Sequence, residues 1–171
     1  MEYFRQTPTG ITQQGRKHSY DSVFHADGTI AEGPIALCEV QGYVYAAKLA
    51  ASKLAEKLGY GERATTLYDQ AQTLRDRFNR IFWSDGLGSY VLALDGNKHS
   101  CAVPSTNAGQ TVFTEISTQD RAERIVKGLL EEEFFLVGES EQSRQMKYDT
   151  TPWPTTTVRS GPTTTLSLPW G

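Results

Sequence analysis

From Gly33 to Gly59 the chain reads GPIALCEVQGYVYAAKLAASKLAEKLG, with apolar residues returning at helical spacing. Leu37, Val40, Val44, Ala47, Ala51, Leu54 and Leu58 step by three and four, which predicts one buried stripe. Pro34 suits a first helical turn and Gly59 a left-handed stop, so the pattern predicts a helix from Pro34 to Leu58. Glu39 and Gln41 break the apolar run near its start, and Gly42, Ala46 and Ala50 leave room for another backbone. Two readings of this helix stand side by side. In one it is a core helix with two polar residues turned to water; in the other its first half lines a polar cavity.

A second helix is predicted from Gly61 to Phe82. Ala64, Leu67, Ala71, Leu74, Phe78 and Ile81 mark its apolar face, while Asp69, Arg75, Asp76, Arg77 and Arg80 fill the solvated side. The short connection predicts an antiparallel hairpin of the two helices. Ser89 to Leu94 alternates as a strand would, with Asp95-Gly96 as a hairpin turn and Cys101 to Val103 as the returning partner. Ser105 to Gly109 reads as a loop, with another helix beginning in the stretch Gln110 to Ile116. Asp120 is expected to cap a further helix through Ala122, Ile125, Val126, Leu129 and Leu130. Before Ser19 there is little periodicity, as in a long loop over a site or a frayed start; HADG at 25–28 is a turn signal. After Leu136 periodicity is lost, and two Thr triplets and four of the seven prolines follow. By composition alone this is a disordered tail.

Length and charge narrow the classes. With 171 residues the chain can bury a core, and a formal charge of −3 gives no basic footprint for nucleic acid. No apolar run is long enough to cross a membrane, and MEYFRQTPTG lacks the apolar core of a secretory signal. Cys38 falls on the helix and Cys101 in a later loop; two cysteines make neither a disulfide framework nor a zinc site. The expectation is a cytoplasmic protein without cofactor or metal.

Four blocks, in order, carry a resemblance: QGRKHSYDSVFHADG, GPIALCEVQGYVYAA, YVLALDG and STNAG. Over residues 11 to 133 the chain resembles the bacterial amylo-α-1,6-glucosidase (glycogen-debranching-enzyme-like) glycoside hydrolases. That resemblance implies an all-α fold: part of an (α/α)6 toroid of antiparallel helix hairpins, with one short β-hairpin near 89–103. It also implies an α-glucan or oligosaccharide substrate, hydrolysed by a pair of carboxyl groups. Asp21, His25, Asp27, Glu39, Gln41 and Asn107 match positions that would line the pocket and bind sugar hydroxyls. Read without it, Asp21 suits a helix cap, Asp27 a turn, Asn107 a left-handed turn and His25 a core histidine.

Two departures fall at the catalytic block. The family pattern is close to NQGWKDS, where this chain has QQGRKHS at 13–19. Arg16 stands at the Trp, removing a flat face for a sugar ring. His18 stands at the Asp that the resemblance marks as the general acid, and it is a poor substitute beside a developing oxocarbenium. The second carboxylate is expected beyond residue 171.

The tail has its own explanation. Thr151 to Val158 can be written ACC CCA TGG CCT ACC ACA ACG GTT. With one A from Thr150 in front, the shifted frame reads AAC CCC ATG GCC TAC CAC AAC GGT, or NPMAYHNG. Carried through Arg159 to Pro169 it gives SVWPHDNTLIA, and Leu136 to Gln142 with a leading T gives SGWGVRT. All three are sequences of the family's kind, and Phe134-Phe135 as TTT TTT supplies a run on which a frame slips. The expectation is therefore a hydrolase fragment over 1–135 and an out-of-frame, unstructured segment over 136–171. Such a fragment is expected to be inactive and to self-associate through exposed inner faces. A glycan-binding remnant and a helical scaffold are the alternatives.

Overall fold

The computed structural model describes residues 1–3, 19 and 21–130. The chain divides into the units Met1–Phe135 and Leu136–Gly171, and only the first contains described residues. The expectations for Arg16, for His18 and for the segment after Leu136 lie outside the described residues.

The first unit is helix-rich with small antiparallel sheets. Its elements are β1 (Ala36–Leu37), α1 (Cys38–Lys57), α2 (Gly61–Ile81), β2 (Trp83–Ser84), β3 (Ser89–Tyr90), β4 (Ala93–Leu94), β5 (Ser100–Cys101), α3 (Asn107–Phe113) and α4 (Gln119–Leu129). The expected β4–β5 hairpin is joined by β1 in a three-stranded sheet of order β1-β4-β5, and β2 pairs with β3 in a second. An all-α chain with one hairpin is therefore corrected to four described helices and two small sheets.

The added strand comes from residues whose periodicity had suggested helix. Pro34 follows a cis peptide bond, and Ile35 exchanges backbone hydrogen bonds with Tyr3 at 2.9 and 2.7 Å. Ala36 and Leu37 then pair with Leu94 and Ala93, so α1 starts four residues later than expected. Its other end behaves as the sequence implies. Gly59 adopts φ +81°, and the N–H groups of Gly59 and Tyr60 donate to Glu56 and Ala55, closing a Schellman motif.

The strand expected at 89–94 divides between the two sheets. Tyr90 through Leu94 are all buried rather than alternating, because both faces of this run are covered. The loop from β4 to β5 is also longer than a two-residue turn. Asp95 Oδ1 accepts the N–H groups of Asn97 and His99, and Lys98, not Gly96, takes the left-handed conformation. Gly96 is needed for a different reason: a Cβ there would lie 2.5 Å from the Gly33 carbonyl oxygen.

Helices α1 and α2 pack as the antiparallel hairpin. The predicted face of α2 holds at Ala64, Ala71 and Phe78, with Leu67 and Leu74 half-buried and Ile81 exposed. The predicted stripe of α1 does not. Leu37 is buried, but Ala47 and Ala51 are exposed, and Leu54 and Leu58 are about as open as surface residues. Cys38, Gln41, Gly42, Tyr45, Ser52 and Ala55 are buried instead. The core gathers Tyr45, Ala71, Phe78, Phe82, Tyr90, Ile116 and Ile125; a second cluster joins Val23, Ile35, Leu37, Leu92 and Cys101.

Helix α3 begins at Asn107, inside the stretch read as loop. It crosses α1 where Gly42 faces Thr114, whose hydroxyl donates to Gln110 O at 2.8 Å. A Cβ at position 42 would overlap that hydroxyl. Gly42→Ala is expected to cost about 1–3 kcal/mol by overpacking, read as a lower thermal midpoint. Thr114→Ala in the same chain should recover part of the loss.

Helix α4 starts after Thr118, with Asp120 in its first turn rather than at the cap. Both cysteines are free and buried, Cys101 in β5 rather than a loop. Among the described residues no helix is long and apolar enough to cross a membrane.

Candidate functional site

The FHADG loop is built by short-range bonds. His25 N–H donates to Thr29 O at 2.8 Å, Gly28 N–H to His25 O at 2.9 Å, and Gly28 sits at φ +85°. Asp27 Oδ1 accepts both the amide (3.0 Å) and the hydroxyl (2.7 Å) of Thr29. The hydroxyl bond first, and then the amide, hold its carboxyl below the usual range. Asp27 is thus a turn residue in its bonding. Asp21 accepts the Ser19 hydroxyl and caps no described helix.

His25 reaches away from its loop. Its Nε2 lies 3.4 Å from Asp95 Oδ2 and its Nδ1 3.4 Å from Ser100 O, tying the FHADG loop to the β4–β5 hairpin. His99 Nδ1 approaches the same Asp95 oxygen at 3.6 Å. Burial pushes the Asp95 carboxyl up, but the His99 and Asn97 amides and then the two imidazoles outweigh it, and the net shift is downward. Gly96 N–H donates to Glu32 O at 2.8 Å, a further link across the same junction.

Glu39 and Gln41 lie in the first turns of α1, both buried, at 1% and 3% exposure. Neither is turned to water, so the reading of α1 as a core helix with two solvated polar residues fails. Gln41 Oε1 accepts the Met1 ammonium at 2.7 Å, and its Nε2 donates to Met1 O (2.8 Å) and Leu37 O (3.1 Å). Its amide is therefore engaged with main chain. Burial, and next the charge of Glu39, push the neighbouring Cys38 thiol up to about 12, so it stays protonated and inert.

Asn107 opens α3 and is 4% exposed. Its Oδ1 and the Oγ of Ser105 are buried and have no hydrogen-bond partner among the described residues. Two polar atoms left open within three residues are unusual in a folded core, where such groups are ordinarily satisfied. The left-handed role considered for Asn107 is not taken; among non-glycine described residues only Lys98 and Glu115 have positive φ.

The described residues of the four blocks adjoin in this part of the fold. GPIAL supplies β1, which pairs with β4 of YVLALDG; FHADG is joined to the same hairpin by His25; STNAG begins α3, which packs on α1. Among the described residues no group of His, Cys, Asp and Glu is arranged to hold a metal ion.

A second polar cluster, at the far end of α2, was not evident from the pattern. Asn79, 8% exposed, donates to Arg75 O and Ile116 O, both at 2.8 Å. Its Oδ1 accepts the Tyr90 hydroxyl and the Thr118 N–H (3.3 Å), and its carbonyl accepts Arg121 Nη1. Arg75, placed by periodicity on the solvated side, instead donates to Ile116 O (3.4 Å) and Ser117 O (3.1 Å). Its only signal in the sequence is Asn79 directly after Phe78 on the buried face.

A scan against models of known protein families finds no match to this chain, and no curated protein matches it.

Proposed function

We propose that the chain is a piece of an α-glucan-acting glycoside hydrolase of the amylo-α-1,6-glucosidase type that does not itself hydrolyse α-glucosides. The observation that carries this reading is the meeting of FHADG, GPIAL–EVQGY, YVLALDG and STNAG in one part of the fold. GPIAL and YVLALDG, distant along the chain, pair through β1 and β4, and FHADG is held to the same hairpin by His25, an arrangement that supports the resemblance. On this reading the α1–α2 hairpin is one of the antiparallel pairs of an (α/α)6 toroid. Inactivity follows from chemistry at the acid position: His18 replaces the carboxylic acid that protonates the leaving oxygen, and Arg16 removes a stacking face.

A glycan-binding remnant is the second reading, favoured by the open Asn107 Oδ1 and Ser105 Oγ, which suit a sugar hydroxyl. The test is release of reducing sugar from a short α-glucan. No turnover is expected from the 171-residue chain, nor from Arg16→Trp with His18→Asp in the present frame. Turnover is expected once both reversions are combined with the restored frame and the family's downstream sequence. Hydrolysis by the chain as it stands overturns the inactivity, and an inert repaired form overturns the ancestry. Saccharide binding without turnover, lost in Asn107→Ala, selects the second reading.

A further inference from the structure

The cleft beside Asn79 lies outside the four-block region. It has a volume of about 500 Å³ and is lined by Arg75, Asp76, Asn79, Arg80, Thr118 and Arg121. Three arginines and one aspartate are therefore among its lining residues. Among the described residues none of the three arginines forms an ion pair.

Two of these arginines are fixed in place. Arg75 uses Nε and Nη2 on the carbonyls of Ile116 and Ser117, and Arg121 uses Nη1 on Asn79. The Arg121 guanidinium also lies 4.6 Å from the centre of the Trp83 ring, with Arg124 at 5.0 Å from the same ring. The Arg121 side chain also hydrogen-bonds the Tyr90 hydroxyl, while Arg75 Nη1 has no acceptor among the described residues. Arg80 is exposed and makes no described bond. Thr118 precedes the first turn of α4, whose positive end is partly balanced by Asp120.

Guanidinium groups held in place with donors to spare, beside an exposed third one, suit a tetrahedral oxyanion. The overall charge of −3 argues against a polyanion such as nucleic acid. The volume leaves room for a substituent on the anion. We propose that this cleft binds a phosphate group, either as the free ion or as a small phosphomonoester.

The experiment is an amide and arginine-Nε NMR titration of the full chain with inorganic phosphate, at ionic strength held constant with sodium chloride. Saturable shifts are expected at Thr118, Gln119 and the Nε groups of Arg75 and Arg121, with phosphate also raising the thermal midpoint. Arg80→Gln is expected to weaken binding about five-fold without changing the remaining spectrum, and Arg80→Lys to recover part of it. A parallel titration with phenyl phosphate identifies the source: tighter binding assigns the ester, equal binding the free ion. Shifts reproduced by sodium chloride alone, no saturation, or unaltered affinity in Arg80→Gln would each overturn the proposal.

Discussion

Asn79→Leu is expected to destabilise the fold by about 3 kcal/mol, through stranded buried polar groups rather than lost volume. Leucine has the same branched heavy-atom skeleton as asparagine, with bulkier methyl ends, but neither donates nor accepts. The Tyr90 hydroxyl and the Thr118 N–H lose their acceptor, and Ile116 O keeps only the long bond from Arg75. Tyr90 and Ile116 are at 1% and 0% exposure, so water does not replace the bonds lost at those two groups. Urea denaturation reads the effect as a lower midpoint at unchanged slope. The mechanism makes a second demand. In the double variant with Tyr90→Phe the loss should be smaller than the sum of the single losses, because one stranded hydroxyl is gone. Additive losses would mean that Asn79 acts by shape alone.

The same cluster shows where reading by period stops. Helix α2 was legible because Ala64, Ala71 and Phe78 sit on one face that is otherwise poor in apolar competitors. Helix α1 was not, because two stripes with the same spacing run along it. One carries Val44, Leu54 and Leu58; the other carries Gln41, Gly42, Tyr45, Ser52 and Ala55. Hydrophobicity favours the first, yet the second is buried. Its polar atoms are satisfied: Ser52 donates across the hairpin to Ala64 O at 2.7 Å, and Gln41 to Leu37 O one turn back. Its small residues admit close neighbours, as Gly42 does for Thr114. Hydrogen bonding and shape decided between stripes that period could not separate.

At the candidate site the contrast runs the other way. Glu39, Gln41 and Asn107 stood out as polar residues in apolar or loop surroundings, and all three are buried. The arginine cleft did not stand out, since charged residues spaced along a helix read as its wet side. Arg75 lies there by periodicity, but the carbonyls of Ile116 and Ser117 in the connection from α3 to α4 draw its guanidinium inward. Such a contact depends on an element about forty residues away, which no local window contains.

Phe78→Ala is expected to be the most damaging single truncation in the described fold, at about 3–5 kcal/mol. Phe78 is 2% exposed, stacked 4.9 Å from Phe82 and tilted 4.6 Å from Tyr90, with Trp83 edge-on to Tyr90 at 5.2 Å. Alanine would remove the ring joining α2 to the β2–β3 sheet and leave a cavity under Ile116 and Ile125, members of the same core. Domains of this size are stable by about 5–15 kcal/mol, so the variant would hold only a fraction of its folded population on heating. Phe113→Ala is the matched control. Phe113 is 81% exposed, and its truncation should change stability by less than about 0.5 kcal/mol. Equal midpoints for the two variants would mean that the aromatic cluster is not the centre of this core. The expected gap also separates core damage from any general intolerance of the helices to losing a phenyl ring.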